Sequence, residues 1–374
     1  MDYTFDDLLI EVEKHKASDL HISAGTPPII RLRGKLTRLK GYPALTTESI
    51  ETMLTGLLSG DQNEKLNREK ELDFSYFITG VARFRGNIFR EKRSLAAAFR
   101  MIPTNPLPFE ALGVPGIIKE LADKQYGLIL VTGPSGSGKT TTLAALVDYM
   151  NNTRNSHVVT IEDPVEYVFQ NRTCLIRQRE IGVDTTSFSR ALISALRQDP
   201  DVILVGEMRD KETMETALTA AETGHLVIST LHTNNAVDTI NRILDVFPGH
   251  KQTQIRVQLA ATLQGVFSQL LLPHRDKNMS MALATEVLIV TPGIRNMIRE
   301  GSAHMIHHAI ETGSEYGMQT MEVALKKLYE EGKVTLEEAL IHAYDPQSFR
   351  KMMGLDTKSH DEESGELPSD ARYI

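Results

Sequence analysis

The sequence predicts an α/β protein of two folded parts, and three observations carry that prediction. Residues 1–102 mix amphipathic helical spacing with alternating strand patterns, the grammar of an α+β domain. From residue 117 on, short and almost wholly apolar runs (Leu128–Val131, Val158–Ile161, Val202–Val205) alternate with helical segments, as in a sheet buried on both faces. Between them Pro103, Pro106, Pro108 and Pro115 punctuate the chain, so residues 103–116 read as a linker and hinge.

In chain order, Leu8, Leu9, Ile10 and Val12 open an amphipathic helix that ends near Ser18-Asp19, where a strand-like Leu20–Ser23 begins. Residues 29–39 alternate apolar and basic side chains and break at Gly34, which predicts a hairpin with one wet face. Ile50, Met53, Leu54, Leu57 and Leu58 fall on one side of a single helix over 48–66. Residues 73–100 read as two or three antiparallel strands, interrupted at Gly80 and Gly86. The larger domain spans 117–350. Beyond it apolar content drops and acids cluster, so 351–374 reads as an acidic disordered tail.

Composition narrows the function. The chain has 374 residues, with 41 basic and 49 acidic side chains and a formal charge of −8, which argues against nucleic acid as a partner. Half of that charge sits in residues 355–374, where six acids face two bases, so the net value says little about any working surface. Cys174 is the single cysteine; it excludes an intrachain disulfide and a cysteine-built zinc site, and suits a reducing cytoplasm. No run of eighteen apolar residues predicts a membrane span, and the acidic Met1–Asp7 does not read as a secretory signal.

The firmest motif is Gly133-Pro134-Ser135-Gly136-Ser137-Gly138-Lys139-Thr140, which satisfies G-x-x-x-x-G-K-[ST] between a buried strand and a helix starting near Thr141. Glycines let backbone N–H groups converge on phosphate oxygens, and the helix N-terminus adds partial positive charge. Lys139 is placed to reach the β- and γ-phosphates and the Thr140 hydroxyl to ligate Mg²⁺, so ATP with Mg²⁺ is the expected ligand.

Three acidic or histidine-bearing segments follow. Glu207 stands just past the apolar strand Val202–Val205, where ligands of open α/β sheets bind, and can approach Mg²⁺; Gly206 occupies the place where many such ATPases carry a first acid. Glu162-Asp163-Pro164-Val165-Glu166 offers three carboxylates, one of which can polarise the attacking water, or all of which can sit on a solvated proline turn. His225 and His232 flank the strand Leu226–Thr230; a strand-end histidine can touch the γ-phosphate or be structural, and no third partner at suitable spacing supports metal ligation.

These four segments, in this order, resemble the type II/IV secretion ATPase superfamily, and most of all the type IV pilus retraction ATPases of the PilT/PilU type. Residues 133–140 resemble their Walker A motif, Thr160–Tyr167 their Asp box, Asp201–Asp210 their Walker B and Gly224–Asn234 their His box. Ser18–Pro28 resembles the opening of the family's PAS-like N-terminal domain, Ile294–Gly301 the AIRNLIRE element associated with retraction, and Gly317–Met321 a further family segment. Gly293 stands where that element begins with alanine.

The resemblance implies a PAS-like domain joined to a RecA-like P-loop ATPase domain. It carries Glu166 over as general base, Glu207 as the Mg²⁺-linked acid, and His225 and His232 as His-box residues near the γ-phosphate and the subunit contact. It implies a homohexameric ring in which N-terminal arginines enter the neighbouring subunit's site; Arg93 and Arg100 are the candidates in the hairpin from Arg83 to Arg100. The implied work is pilus retraction, driven by inter-domain movement against an inner-membrane platform protein at the cytoplasmic face of the inner membrane, with a paralogous pilus ATPase as a further partner. Extension and type II secretion ATPases typically add an N-terminal domain and a tetracysteine zinc insertion, and neither pattern is found in these residues. Three rival readings stand beside it: a PilU-type accessory retraction ATPase, a nucleotide-gated adaptor that does not hydrolyse, and a RecA-like DNA translocase. Phosphate release separates the adaptor; DNA-stimulated turnover would mark the translocase.

Overall fold

The local signals along the chain build two units in the computed structural model, which describes residues 3–32, 34–78, 81–103, 106–276 and 281–355. The first unit runs from the N-terminus to Pro106 and takes in Pro164–Asn171; the second takes Leu107–Asp163 and everything described from Arg172 onward.

In the first unit, helix α1 (Phe5–Lys14) starts at a reciprocal cap: Thr4 Oγ1 accepts the Asp7 N–H and Asp7 Oδ2 accepts the Thr4 N–H. Strands β1 (Asp19–Ile22), β2 (Ile29–Leu32) and β3 (Lys35–Arg38) follow. Helices α2 (Thr47–Thr55) and α3 (Gly60–Glu69) lead to β4 (Glu71–Ile78), β5 (Ala82–Glu91) and β6 (Ser94–Ile102). The six strands form one antiparallel sheet in the order β3-β2-β1-β6-β5-β4. Leu8, Leu9, Val12, Ile50, Leu54, Phe84 and Phe99 are buried in its core.

Two expectations change here. Residues 48–66 form two helices, because Ser59 caps a new one: its hydroxyl accepts the Gln62 N–H while Gln62 Oε1 accepts the Ser59 N–H. Gly86 does not interrupt a strand but lies within β5; a Cβ there would come within 2.5 Å of the Phe99 ring and 2.9 Å of Phe74, which meet edge to face across it. The expected break at Gly80 lies outside the described residues.

The second unit opens with α4 (Phe109–Leu112) and α5 (Ile117–Ala122), then alternates strand and helix. Strand β7 (Gly127–Thr132) leads to α6 (Lys139–Thr153), and β8 (His157–Glu162) and β9 (Leu175–Glu180) to α7 (Phe188–Ala195). Strand β10 (Val202–Val205) precedes α8 (Lys211–Glu222), and β11 (Leu226–Leu231) precedes α9 (Ala236–Asp245) and α10 (Gly249–Thr262). Then come β12 (Leu263–Leu272), β13 (Ala282–Ile289), α11 (Pro292–Glu300), α12 (Ile306–Thr312), α13 (Met321–Glu330), α14 (Leu336–His342) and α15 (Pro346–Met352).

Its sheet runs β13-β12-β7-β11-β10-β8-β9, parallel throughout except for β13 against β12. Every residue of β7, β10 and β11 is buried, as the apolar runs predicted for a sheet covered on both faces. The chain stays folded past residue 350: α15 buries Phe349 completely, whereas the expected disordered stretch from 356 on lies outside the described residues. Residues 164–171, expected within the larger domain, instead group with the first unit, where the Val168 N–H donates to the Pro103 carbonyl. No helix among the described residues is long and apolar enough to cross a membrane.

Candidate functional site

Parallel strands β7, β11 and β10 end on the same edge, and the chain leaving each of them carries a chemically distinct group. After β7 the backbone turns at Gly133 with φ +139°, where a Cβ would stand 2.3 Å from the Gln269 carbonyl. Gly136 (φ +80°) and Gly138 (φ +87°) continue the loop, and Gly138 caps α6 without any side-chain acceptor. The free N–H groups of that first turn therefore face outward as a ready anion site.

Lys139 is buried, and its Nζ donates to the carbonyls of Gly133 (2.7 Å) and Pro134 (2.9 Å). Burial pushes its ammonium below the usual lysine range, with the Glu207 charge opposing. A desolvated cation held by neutral carbonyls gains strongly from an incoming anion. Pro134, Ser135, Gly136 and Thr140 are exposed and Thr141 is half-buried, while the Ser137 hydroxyl is buried with no hydrogen-bond partner. Converging N–H groups, an anion-seeking lysine and an open hydroxyl at Thr140 fit a triphosphate with its Mg²⁺.

Past β10, Glu207 is clamped from two sides. Arg209 Nε lies 2.7 Å from its Oε2, and His232 Nε2, just beyond β11, lies 3.1 Å from its Oε1. The two strand ends are pinned together: the Ser229 hydroxyl donates to the Val205 carbonyl (2.7 Å) and the Thr230 hydroxyl to the Gly206 carbonyl (2.6 Å). Gly206, where many such ATPases carry a first acid, is closely packed. Its Cβ would meet the Ile161 carbonyl at 3.2 Å, so a side chain just past β10 would require the backbone of β8 to give by a few tenths of an ångström.

Of the three acids at the end of β8 and beyond, Glu162, the last residue of the strand, is the one buried at this edge, accepting from the Thr160 hydroxyl (2.6 Å) and the Gln178 amide (3.1 Å). Asp163 is exposed. Glu166 is exposed on the Pro164–Asn171 segment that groups with the first unit.

His225 is a correction. It precedes β11, whose Leu226 pairs with Gly127 at the start of β7, so it stands at the edge of the sheet opposite the phosphate loop. Six strand residues separate the two histidines, so they stand seven steps apart, roughly 23 Å at about 3.3 Å per residue. Its Nδ1 instead lies 3.0 Å from the Ala220 carbonyl, closing the end of α8. Within one chain only His232 joins the site.

The two arginines lie in the first unit. Arg93 is exposed in the β5–β6 turn at φ +69°, after Lys92 at φ +48°. Arg100, on β6 opposite Asp19, donates from Nε to Asp19 Oδ1 (2.9 Å), and Arg31 approaches the other oxygen at 3.6 Å. Burial pushes the Asp19 carboxyl up, but the Ser18 hydroxyl and the Arg100 guanidinium outweigh it and hold the group below its ordinary value. Arg100 nevertheless keeps a largely exposed side chain, so it is anchored without being enclosed.

Sequence reasoning missed Arg209, although its position two residues after the strand-end acid was a usable signal. It also passed over the bond from the Thr132 hydroxyl to Ser268 (3.0 Å), which ties the residue before the phosphate loop to β12. Nothing in the sequence marks that pair.

Similarity to known proteins agrees with this geometry. The family model described as type II/IV secretion system protein matches residues 111–352. The type IV pilus retraction ATPase PilT of Pseudomonas aeruginosa is 47% identical over 349 residues, covering 93% of this chain and all of that protein. The type IV pilus ATPase PilU of the same species is 38% identical, covering 95% of this chain and 92% of its own. A crystal structure of the pilus retraction motor PilT with bound ADP is 45% identical, with a TM-score of 0.86 over 94% of this chain and the whole of that one.

Proposed function

This chain belongs to the type II/IV secretion system protein family, and from that premise we propose that it is the ATP-hydrolysing motor of type IV pilus retraction. It is a P-loop ATPase. The observation that carries the reading is the shared edge of β7, β10 and β11, where Lys139, Glu207 and His232 come together. The greater identity to the retraction ATPase than to its PilU paralogue, 47% against 38%, favours retraction itself over an accessory role.

Bound ATP with Mg²⁺ supplies a phosphoryl group whose transfer to water needs positioned charge more than covalent chemistry. In this reading the N–H groups of Pro134–Thr141 and the Lys139 ammonium hold the phosphates, while Thr140 and Glu207 hold the metal. Arg209 and His232 fix the Glu207 carboxylate so that little reorganisation accompanies turnover. Glu166 takes the proton of the attacking water. His232, bonded to Glu207, registers the state of the site at the end of β11.

The same reading has the chain act as a homohexamer, with Arg93 and Arg100 offering their exposed guanidinium groups to a neighbouring subunit. Residues 103–116 serve as the hinge between the PAS-like domain and the RecA-like domain. The ring works in the cytoplasm at the face of the inner membrane, against a pilus platform protein and alongside a paralogous pilus ATPase. Deleting the gene and restoring it as Lys139→Ala tests this. Abundant but immobile surface pili and no twitching support retraction; bald cells would make it an assembly motor, and normal twitching would end the assignment.

A further inference from the structure

Away from the Glu207 cluster, the second unit encloses a cavity of about 750 Å³, within the size range of small-molecule sites. Pro134 of the phosphate loop and Asn234, two residues past His232, form part of its wall. The rest comes from the start of α9 (Asn235, Val237, Asp238), from β12 and β13, and from the segments that follow them.

Two buried carboxylates stand in it, beside the amides of Asn234, Asn235 and Gln269, three histidines and Tyr344. Glu286 on β13 is 3% exposed, and its Oε1 accepts the N–H of Ala236, the first residue of α9 (2.8 Å). Glu322 on α13 is 8% exposed and accepts the Tyr344 N–H (3.0 Å). Asp238 accepts from the Asn235 amide. Among the described residues none of these three carboxylates is ion-paired, and neither Lys nor Arg lines the cavity. Gln269, 1% exposed, spends its amide on Thr142 (2.7 Å) and leaves Oε1 with no partner.

Among the described residues Glu286 and Glu322 are buried without a counter-ion, whereas Asp238 is exposed; such burial is costly, and a buried acceptor without a donor adds to the cost. Burial pushes the Glu286 carboxyl up to about 7, and the Glu322 and Asp238 charges add to it. A ligand that lowers this cost must be positive and rich in N–H donors. A metal ion does not suit, since no three ligating side chains are gathered closely enough among the described residues.

We propose that this cavity is a second ligand site, taking a small organic dication whose ammonium or guanidinium ends meet Glu286 and Glu322. Occupation bears directly on the first turn of α9 through Glu286, hence on the loop that carries His232. It also touches the phosphate loop at Pro134, whose carbonyl holds Lys139. Binding weakens as pH falls, because Glu286 takes a proton and loses its charge; His304, His307 and His342 line the same space.

The probe is agmatine, which carries a guanidinium at one end and an ammonium at the other. Full-length protein at pH 8, titrated calorimetrically and by thermal unfolding against matched NaCl, should show saturable binding and a rise in Tm. Glu322→Gln should weaken binding tenfold or more, and Ile341→Trp, at an exposed rim position, should block it sterically. No saturable heat or Tm shift up to about 10 mM agmatine overturns the site. So does equal binding by Glu322→Gln or, should that variant not fold, by Ile341→Trp. Heat and melting are read without turnover, so a negative result leaves the ATPase reading untouched.

Discussion

His232 Nε2 lies 3.1 Å from Glu207 Oε1, joining the residue beyond one central strand to the acid beyond its neighbour. The pair cannot drift apart, because the hydroxyls of Ser229 and Thr230 hold the two strand ends together. A carboxylate fixed in this way is preorganised for a metal and for the charge that develops during phosphoryl transfer.

Glu207→Gln should therefore keep nucleotide binding and lose turnover, on the order of 10²–10³-fold. Fluorescent-nucleotide titration and phosphate release check the two halves separately. Loss of binding instead would make Glu207 a scaffold of the loop.

Glu166 and Glu162 should part company. If Glu166 is the base, Glu166→Gln lowers phosphate release by on the order of 10²–10⁴ with KM little changed. Glu162→Gln keeps an acceptor for the Thr160 hydroxyl and should cost far less activity. The opposite order of effects would reassign the base to Glu162.

Arg100→Ala should lower stability by no more than about 1 kcal/mol, since the guanidinium is 72% exposed and solvent screens the pair. Its effect on hydrolysis should be much larger if the side chain completes a neighbour's site. Asp19, held low, contributes stability that is present above about pH 4 and disappears as pH falls through its folded-state value. Wild-type Tm should fall more steeply than that of Asp19→Asn below about pH 4.

Glu286 works with the opposite sign. A carboxyl raised to about 7 favours folding while protonated, and that contribution is lost as pH rises through 7. Glu286→Gln should thus gain about 2 kcal/mol relative to wild type between pH 5.5 and pH 8.5, seen as a flatter Tm profile. Parallel profiles would mean that the buried carboxyl is already compensated.

Gly86→Ala should destabilise the first unit by about 1–3 kcal/mol, because its methyl group falls on the Phe99 and Phe74 rings. Thermal unfolding measures it. An unchanged Tm would show that the ring pair can shift at no cost.

The phosphate loop was legible because its chemistry demands particular residues at adjacent positions, and the apolar runs were legible because a sheet covered on both faces tolerates little else. His225 misled because two histidines flank one strand symmetrically in sequence, whereas a parallel sheet has only one nucleotide edge. Ser59 was hidden because the apolar spacing runs on past the end of α2 through Leu57 and Leu58, right up to the cap. Glu286 was visible as a lone acid in the apolar Ala282–Ile289 but gave no hint of what it faced. Arg100 could be nominated from its motif, yet its bond to Asp19 joins positions 81 apart and belongs to strand pairing.

The grouping of Pro164–Asn171 with the first unit has a practical corollary for anyone dissecting this protein. The chain passes between the units three times, so a fragment ending at Pro106 is not the first unit but that unit with a piece missing. The remainder, expressed alone, would carry an eight-residue insertion between β8 and β9 with nothing to fold against. Protease nicking near residue 107 would leave two covalent crossings intact.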